Sequence, residues 1–182
     1  DLSIGLFSKA LGSVGGFLAG DQALINWYIA FSRPYIFATS VPPACAAASL
    51  KAIEVLEKEK PYMRLNENIK HFVNGVNSLG AQIDPGHSTP IIPIVIGDEK
   101  KMGTIFKSLY DDGVFVLPVV YPVVSRSRCR FRFSIRADLS ITDIDFVISS
   151  FEKALLKSDV KLSDIDPSLN PLFDKRLTKQ VA

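Results

Sequence analysis

Apolar positions recur along the chain at two different spacings, and each spacing predicts an element. In QALINWYIAFSR, residues 22 to 33, Leu24, Ile25, Tyr28, Ile29 and Phe31 follow the helical period, and the run ends before Pro34. Pro42 and Pro43 suit a helix N-terminus, and the helix formers behind them predict a helix from about Pro43 to Lys58. Leu65, Ile69, Phe72, Val73 and Val76 make one stripe of a helix from Met63 to Leu79, stopped by Gly80. The run Ile91 to Ile96, between Pro90 and Gly97, is short and β-branched, so it reads as a strand. Residues 98 to 110 are expected to be helical, and Asp111, Asp112 and Gly113 turn the chain into a strand from Val114 to Leu117. Arg130 to Ile135 is a third strand. Ser140 with Asp143 resembles a capping box, opening a closing helix whose apolar face is Ile144, Val147, Ile148, Phe151 and Leu155. Helices packed against a sheet in this order predict an α+β arrangement. From Lys157 the pattern dissolves, so 157–182 is expected to be an extended tail that packs through a few apolar anchors.

Composition narrows the function classes. The 182 residues are 47% apolar and 22% charged, with a formal net charge of +2, which excludes a disordered or polyionic chain and makes nucleic acid an unlikely default partner. No apolar stretch reaches the roughly 20 residues that span a bilayer. Two cysteines, Cys45 and Cys129, cannot build a multi-bridge framework, and the chain opens on Asp1 without a cationic n-region, so a reduced cytosolic protein without a signal peptide is expected. His71 and His87 are the only histidines, expected on a helix surface and in a turn, and no cluster has metal-ligand spacing.

The segment IGLFSKALGSVGGFLAG, residues 4 to 20, carries the most chemistry. It reads as a strand-like run from Ile4 to Lys9 followed by a glycine-rich turn. A lysine among apolar and small residues loses solvation of its ammonium form, which makes the free amine available as a nucleophile toward a carbonyl. Gly12, Gly15 and Gly16 let backbone approach a ligand or a neighbouring subunit. The alternative is a surface lysine at a strand end. Farther on, Arg126, Arg128, Arg130, Arg132 and Arg136 recur mostly at even spacing, opposite Phe131, Phe133 and Ile135. On a strand such a ladder is an exposed basic face, and the phenylalanines on its opposite face argue against stacking on RNA. Thr39 and Ser40, ahead of Pro43, could cap the helix that starts there.

Three blocks, FSKALGSVGGF, RPYIFATSVPPA and YPVV followed by RCRFRFSI, resemble in order and approximate spacing the α-oxoamine synthase family of pyridoxal-phosphate enzymes. The match runs from Asp1 to about Leu156. The resemblance implies an α/β fold-type I pyridoxal-phosphate-dependent transferase: 1–42 as the end of the cofactor-binding large domain, 43–156 as the α+β C-terminal small domain, and 157–182 as the tail. It further implies that the chain is the latter part of a longer subunit, with the family's cofactor-stacking histidine and pyridine-nitrogen aspartate upstream. Carried over by position, Lys9 is the Schiff-base lysine, with Ser8 beside it at the cofactor. Thr39 and Ser40 lie in the loop that reaches the cofactor phosphate of the partner subunit in a homodimer. Arg132 is the arginine that grips the amino-acid carboxylate, a task suited to a planar guanidinium, and its basic neighbours could attract the phosphates of coenzyme A. The implied activity is condensation of a small amino acid with an acyl-CoA to an aminoketone, with release of CoA and usually CO2.

The sequence departs from that family at several points. Leu6 stands where similar enzymes commonly have a phosphate-binding threonine, Ala38 stands where they have Ser or Thr, and Arg136, Ala137, Asp138 and Leu139 replace a small-residue and histidine stretch. Leu6 and Ala38 leave open a non-catalytic partner subunit. An aminotransferase of the same fold is the further alternative, disfavoured by the VPPA and YPVV blocks.

Overall fold

Leu2–Leu6 (β1) and Gly16–Gly20 (β2) pair antiparallel, with Gly5 opposite Phe17, so an expected turn is in fact the second strand of a hairpin. The small residues that read as turn signals serve this pairing. A Cβ added at Gly5 would lie 2.1 Å from the Phe17 ring, so the glycine makes room for the aromatic across the ladder. β1 stops at Leu6, short of the expected Lys9. In the computed structural model, which describes residues 1–169, this hairpin belongs to a first unit, Asp1–Lys60, and a second unit begins at Pro61.

The first unit continues with Gln22–Phe31 (α1), Arg33–Ile36 (α2) and Pro43–Glu59 (α3). α1 ends ahead of Pro34 as expected, and Pro34 is absorbed in the first turn of α2, where a missing N–H costs nothing. The apolar stripe of α1 is not buried. It faces the hairpin across an open apolar cavity of about 400 Å3 lined by Ile4, Leu6, Phe17, Ile25, Tyr28 and Tyr35. Ser49 of α3, bonded to the carbonyl of Cys45, is the only buried residue of this unit. By contacts α3 groups with the hairpin, α1 and α2 in the first unit.

The second unit has a closed core. Pro61–Ser78 (α4), Ile91–Val95 (β3), Glu99–Asp111 (α5), Leu117–Val119 (β4), Arg130–Ser134 (β5) and Ile141–Lys157 (α6) follow one another, and the strands form an antiparallel sheet in the order β3-β5-β4. β4 lies later than the expected 114–117 because only Leu117 to Val119 pair with β5, while Val114 and Val116 bury their side chains ahead of it. Pro93 and Pro118 sit in the two edge strands, which need no amide donor on their outer side, and the central β5 has no proline.

Alternation on β5 buries Phe131 and Phe133 and leaves Arg132 and Ser134 exposed. The buried face meets Ile69, Phe72, Val73 and Val76 of α4, Ile105 and Leu109 of α5, and Ile144, Phe151 and Leu155 of α6, the stripes the helical period predicts. The Ser140–Asp143 capping box is present at the start of α6. Of the tail, Val160, Leu162 and Ile165 pack on this core as apolar anchors, with Leu162 opening a 3₁₀ turn, Leu162–Asp164. The rest of the expected tail, 170–182, lies outside the described residues.

Candidate functional site

Lys9 sits at the tip of the β1–β2 hairpin, and the geometry of the tip explains its setting. Its carbonyl accepts the amide of Gly12 at 3.0 Å, while Phe7 and Ser13 close the loop behind it, with Ser13 N donating to Phe7 O at 2.9 Å. Gly12 adopts φ 57° and Gly15 φ 118°, conformations that favour glycine and let the chain reverse within so few residues. Lys9 is exposed, so the apolar surroundings expected from its sequence neighbours are not realised in this unit. Leu6, three residues before it, lines the open cavity beside α1.

The segment between α2 and α3 lies against this hairpin. Ser13 Oγ donates to the carbonyl of Cys45 at 2.9 Å, and a Cβ added at Gly15 would meet Val41 Cγ2 at 2.8 Å. Thr39 and Ser40 therefore belong to a stretch in contact with the lysine loop. They do not cap α3. Pro42 occupies the N-cap and no side chain bonds to the first turn, because the proline pair intervenes. Lys9 Nζ and the hydroxyls of Ser8, Thr39 and Ser40 have no hydrogen-bond or ion-pair partner among the described residues.

Arg132 lies in the second unit, at the middle of β5, flanked in register by Pro93 on one side and Leu117 on the other. Neither neighbour offers a polar group, and among the described residues its guanidinium has no partner. The five-arginine ladder does not exist as one face. Arg126 and Arg128 are in a 3₁₀ turn ahead of β5, and Arg136 lies beyond its end. Arg126 pairs with Glu99 at 2.6 Å, and Arg136 chelates Asp138, which holds that carboxyl below the usual aspartate range. Arg130 is half-buried, its guanidinium lowered by burial, and its Nε donates to the carbonyl of Arg128 at 2.9 Å. Even spacing finds the strand residues and cannot see where the strand ends.

The histidines fall where expected. His71 pairs with Asp145 at 2.6 Å between α4 and α6, and His87 lies in the turn before β3, its amide bonded to Asp84. Cys129 is fully buried, and desolvation pushes its thiol up, which suits packing and not nucleophilic attack. No group of metal-ligating side chains and no helix long and apolar enough to cross a membrane occurs among the described residues. Sequence reasoning missed Glu99, whose carboxylate meets both Tyr121 and Arg126. The one available signal was its place as the first acidic residue of a capped helix.

Comparison with known proteins gives the same frame. The 8-amino-7-oxononanoate synthase of Thermoanaerobacter pseudethanolicus is 41% identical over 155 residues, which are 84% of this chain and 39% of that protein. The Petrotoga mobilis protein of the same name is 41% identical over 154 residues, again 84% and 39%. The chain thus spans about 39% of the length of these relatives. A solved structure of SPT with PLP superposes with a TM-score of 0.78 at 25% identity, covering 87% of this chain and 40% of that one. Serine palmitoyltransferase from S. paucimobilis superposes with a TM-score of 0.76 at the same identity and coverage. The fold is that of the latter part of a fold-type I transferase. Residues 2–151 match the aminotransferase class I and II family, and the chain belongs to that family, on its α-oxoamine synthase branch.

Proposed function

We propose that the chain is the latter part of a pyridoxal 5'-phosphate-dependent C-acyltransferase that condenses a small amino acid with an acyl-CoA. The observation that carries this reading is the unpartnered amine of Lys9 on a glycine-closed hairpin tip, in a chain of this family. The donor set fits the cofactor: among the described residues, an unpartnered primary amine for its aldehyde and the unpartnered hydroxyl of Ser8 beside it, with the hydroxyls of Thr39 and Ser40 for the phosphate of the partner subunit's cofactor. When bound, the cofactor supplies an aldehyde that condenses with amines and an electron sink for charge at the substrate α-carbon.

Lys9 Nζ would hold the cofactor through its aldehyde, and the same nitrogen, as a free amine, would accept the substrate α-proton. Arg132 orients the amino acid by two parallel hydrogen bonds to its carboxylate. A bond from the α-carbon to the thioester carbonyl carbon would replace that carbon's bond to sulfur, the proton taken up by Lys9 would pass to the departing thiolate to give CoA, and loss of CO2 from the resulting β-keto acid, whose own proton ends on the α-carbon, would leave the aminoketone. Leu6 offers no hydroxyl, so the phosphate-binding role falls to Ser8 and, toward the partner subunit's cofactor, to Thr39 and Ser40.

The same reading assigns 1–42 to the cofactor-binding large domain, 43–156 to the small domain and 157–182 to a tail. It makes the protein a cytoplasmic homodimer. Both cysteines are free, in keeping with a reducing compartment. The first unit leaves Ile4, Leu6, Phe31 and Phe37 exposed, Phe37 by 83%, an apolar surface that asks for cover. Full-length protein with cofactor is expected to develop a visible absorbance band that Lys9→Ala abolishes, and to release CoA from acyl-CoA only when amino acid is added. A full-length protein without the band, unchanged by Lys9→Ala, is a non-catalytic subunit. A band without CoA release points to an aminotransferase.

A further inference from the structure

Between β4 and β5 the chain makes a connection, residues 120–129, that exposes Tyr121 and, by 79%, Val123. Exposed apolar residues in a loop do not hold it in place, and its own hydrogen bonds are short-range: Val123 and Val124 to the carbonyl of Val120, Arg128 to Ser125. The anchoring comes from the segment that opens α5. Ile96 and Gly97 donate their amides to the carbonyl of Cys129 at 2.9 and 3.2 Å, which fixes the connection where it enters β5. Glu99 fixes its other part. One carboxylate oxygen accepts the amide of Tyr121 at 3.4 Å, the other pairs with Arg126 Nη1 at 2.6 Å, and the Arg126 guanidinium lies 5.0 Å from the centre of the Tyr121 ring. The Glu99 side chain is only 28% exposed, so this pair is less screened than a fully solvated one.

Two observations bear on Arg132. The connection that Glu99 holds joins β4 to β5, the two strands that pair Leu117 with Arg132. Glu99 also occupies Arg126, while among the described residues the guanidinium of Arg132 has no partner. We propose that Glu99 is a positioning residue: through Tyr121 and Arg126 it holds the β4–β5 connection so that Arg132, and not Arg126, receives the substrate carboxylate. The proposal rests on the reading of Arg132 given under the proposed function.

The test uses full-length protein loaded with cofactor. Glu99→Ala is expected to raise KM for the amino acid about tenfold, with kcat within about twofold and the cofactor band unchanged. Arg126→Ala, on an exposed side chain, is expected to do the same through the lost clamp, and the double variant to add nothing further, because the two residues act as one unit. Glu99→Gln retains an acceptor for the Tyr121 amide and is expected to fall between. Amide hydrogen exchange in 120–129 is expected to quicken in Glu99→Ala while the helices keep their protection. An unchanged KM in either single variant, additive effects, or a parallel loss of kcat and cofactor band overturns the proposal. If Glu99→Ala does not fold, Arg126→Ala decides alone. A wild type with no band removes the functional reading and this inference together, whereas a wild-type band with an indifferent Glu99 removes only the inference.

Discussion

Gly75 of α4 lies directly against Ile148 of α6: a Cβ built on the glycine would stand 2.3 Å from the isoleucine Cδ1 and 3.2 Å from its Cγ1. The absent side chain sets how closely the two helices approach. Gly75→Ala gains roughly 1 kcal/mol of helix propensity, yet overpacking here costs about 1–3 kcal/mol, so net destabilisation is expected. Urea unfolding should show a lower midpoint at constant slope. Adding Ile148→Val removes Cδ1 and should recover most of the loss. A double variant that is no better than Gly75→Ala would show that the contact is not the cause.

Asn68, 2% exposed on the same helix, donates from Nδ2 to the carbonyls of Arg136 at 2.9 Å and Leu139 at 3.0 Å. Arg64 Nε donates to the carbonyl of Ala137 between them. These bonds pin the chain where β5 ends and α6 has yet to begin. Asn68→Leu leaves two carbonyls without their donor and should cost about 1–3 kcal/mol in unfolding free energy. Arg64→Ala, at an exposed position, should cost less. Equal losses in the two variants would contradict the distinction drawn from burial.

Acid should loosen the capped helix starts. Asp143 is held below the ordinary aspartate value of 3.8 by the Ser140 hydroxyl and then the Ser140 amide, and Asp98 by the amide of Lys101 first. A carboxylate depressed in the folded state takes its proton at lower pH than it does in the unfolded chain. Its stabilisation is therefore complete above the ordinary value and fades as pH falls through the folded one. Thermal midpoints should be level down to about pH 5 and fall below about pH 4. The deficit of Ser140→Ala relative to wild type should be largest near neutrality and shrink in acid. A deficit equal at pH 3 and pH 7 would mean that the Asp143 charge takes no part.

The second unit was largely legible in the sequence because its helices each turn one stripe toward a single core. Ile69, Phe72, Val73 and Val76 are buried as their spacing predicts, and so are Phe131 and Phe133 on the strand. The first unit was not, because α1 has a stripe and no core within the unit to receive it, and because Gly16 reads as a turn residue while it pairs in β2. Alternation placed Arg132 on the exposed face of β5, and only the family resemblance set it apart from the other arginines. What becomes of Arg126 depends on Glu99, 27 residues earlier, and no periodicity records a contact made across that distance. The exposure of Lys9 follows from a turn closed by Gly12, whereas its sequence neighbours suggested an apolar setting.

Arg132 supplies the sharpest test of the proposed substrate site. Its neighbours in the sheet, Pro93 and Leu117, carry no group that could replace it, and Arg130 is half-buried and committed to the carbonyl of Arg128. Arg132→Lys keeps the charge and gives up the planar pair of donors. Losing one charge-assisted hydrogen bond of about 1.5–3 kcal/mol should raise KM for the amino acid roughly 10- to 100-fold. The cofactor band and KM for the acyl-CoA should change little, since neither depends on the substrate carboxylate. Arg130→Lys should leave KM for the amino acid near the wild-type value. Equal increases in the two variants would mean that the carboxylate is read by the basic strand as a whole, and a selective increase in Arg130→Lys would place the grip on the other arginine.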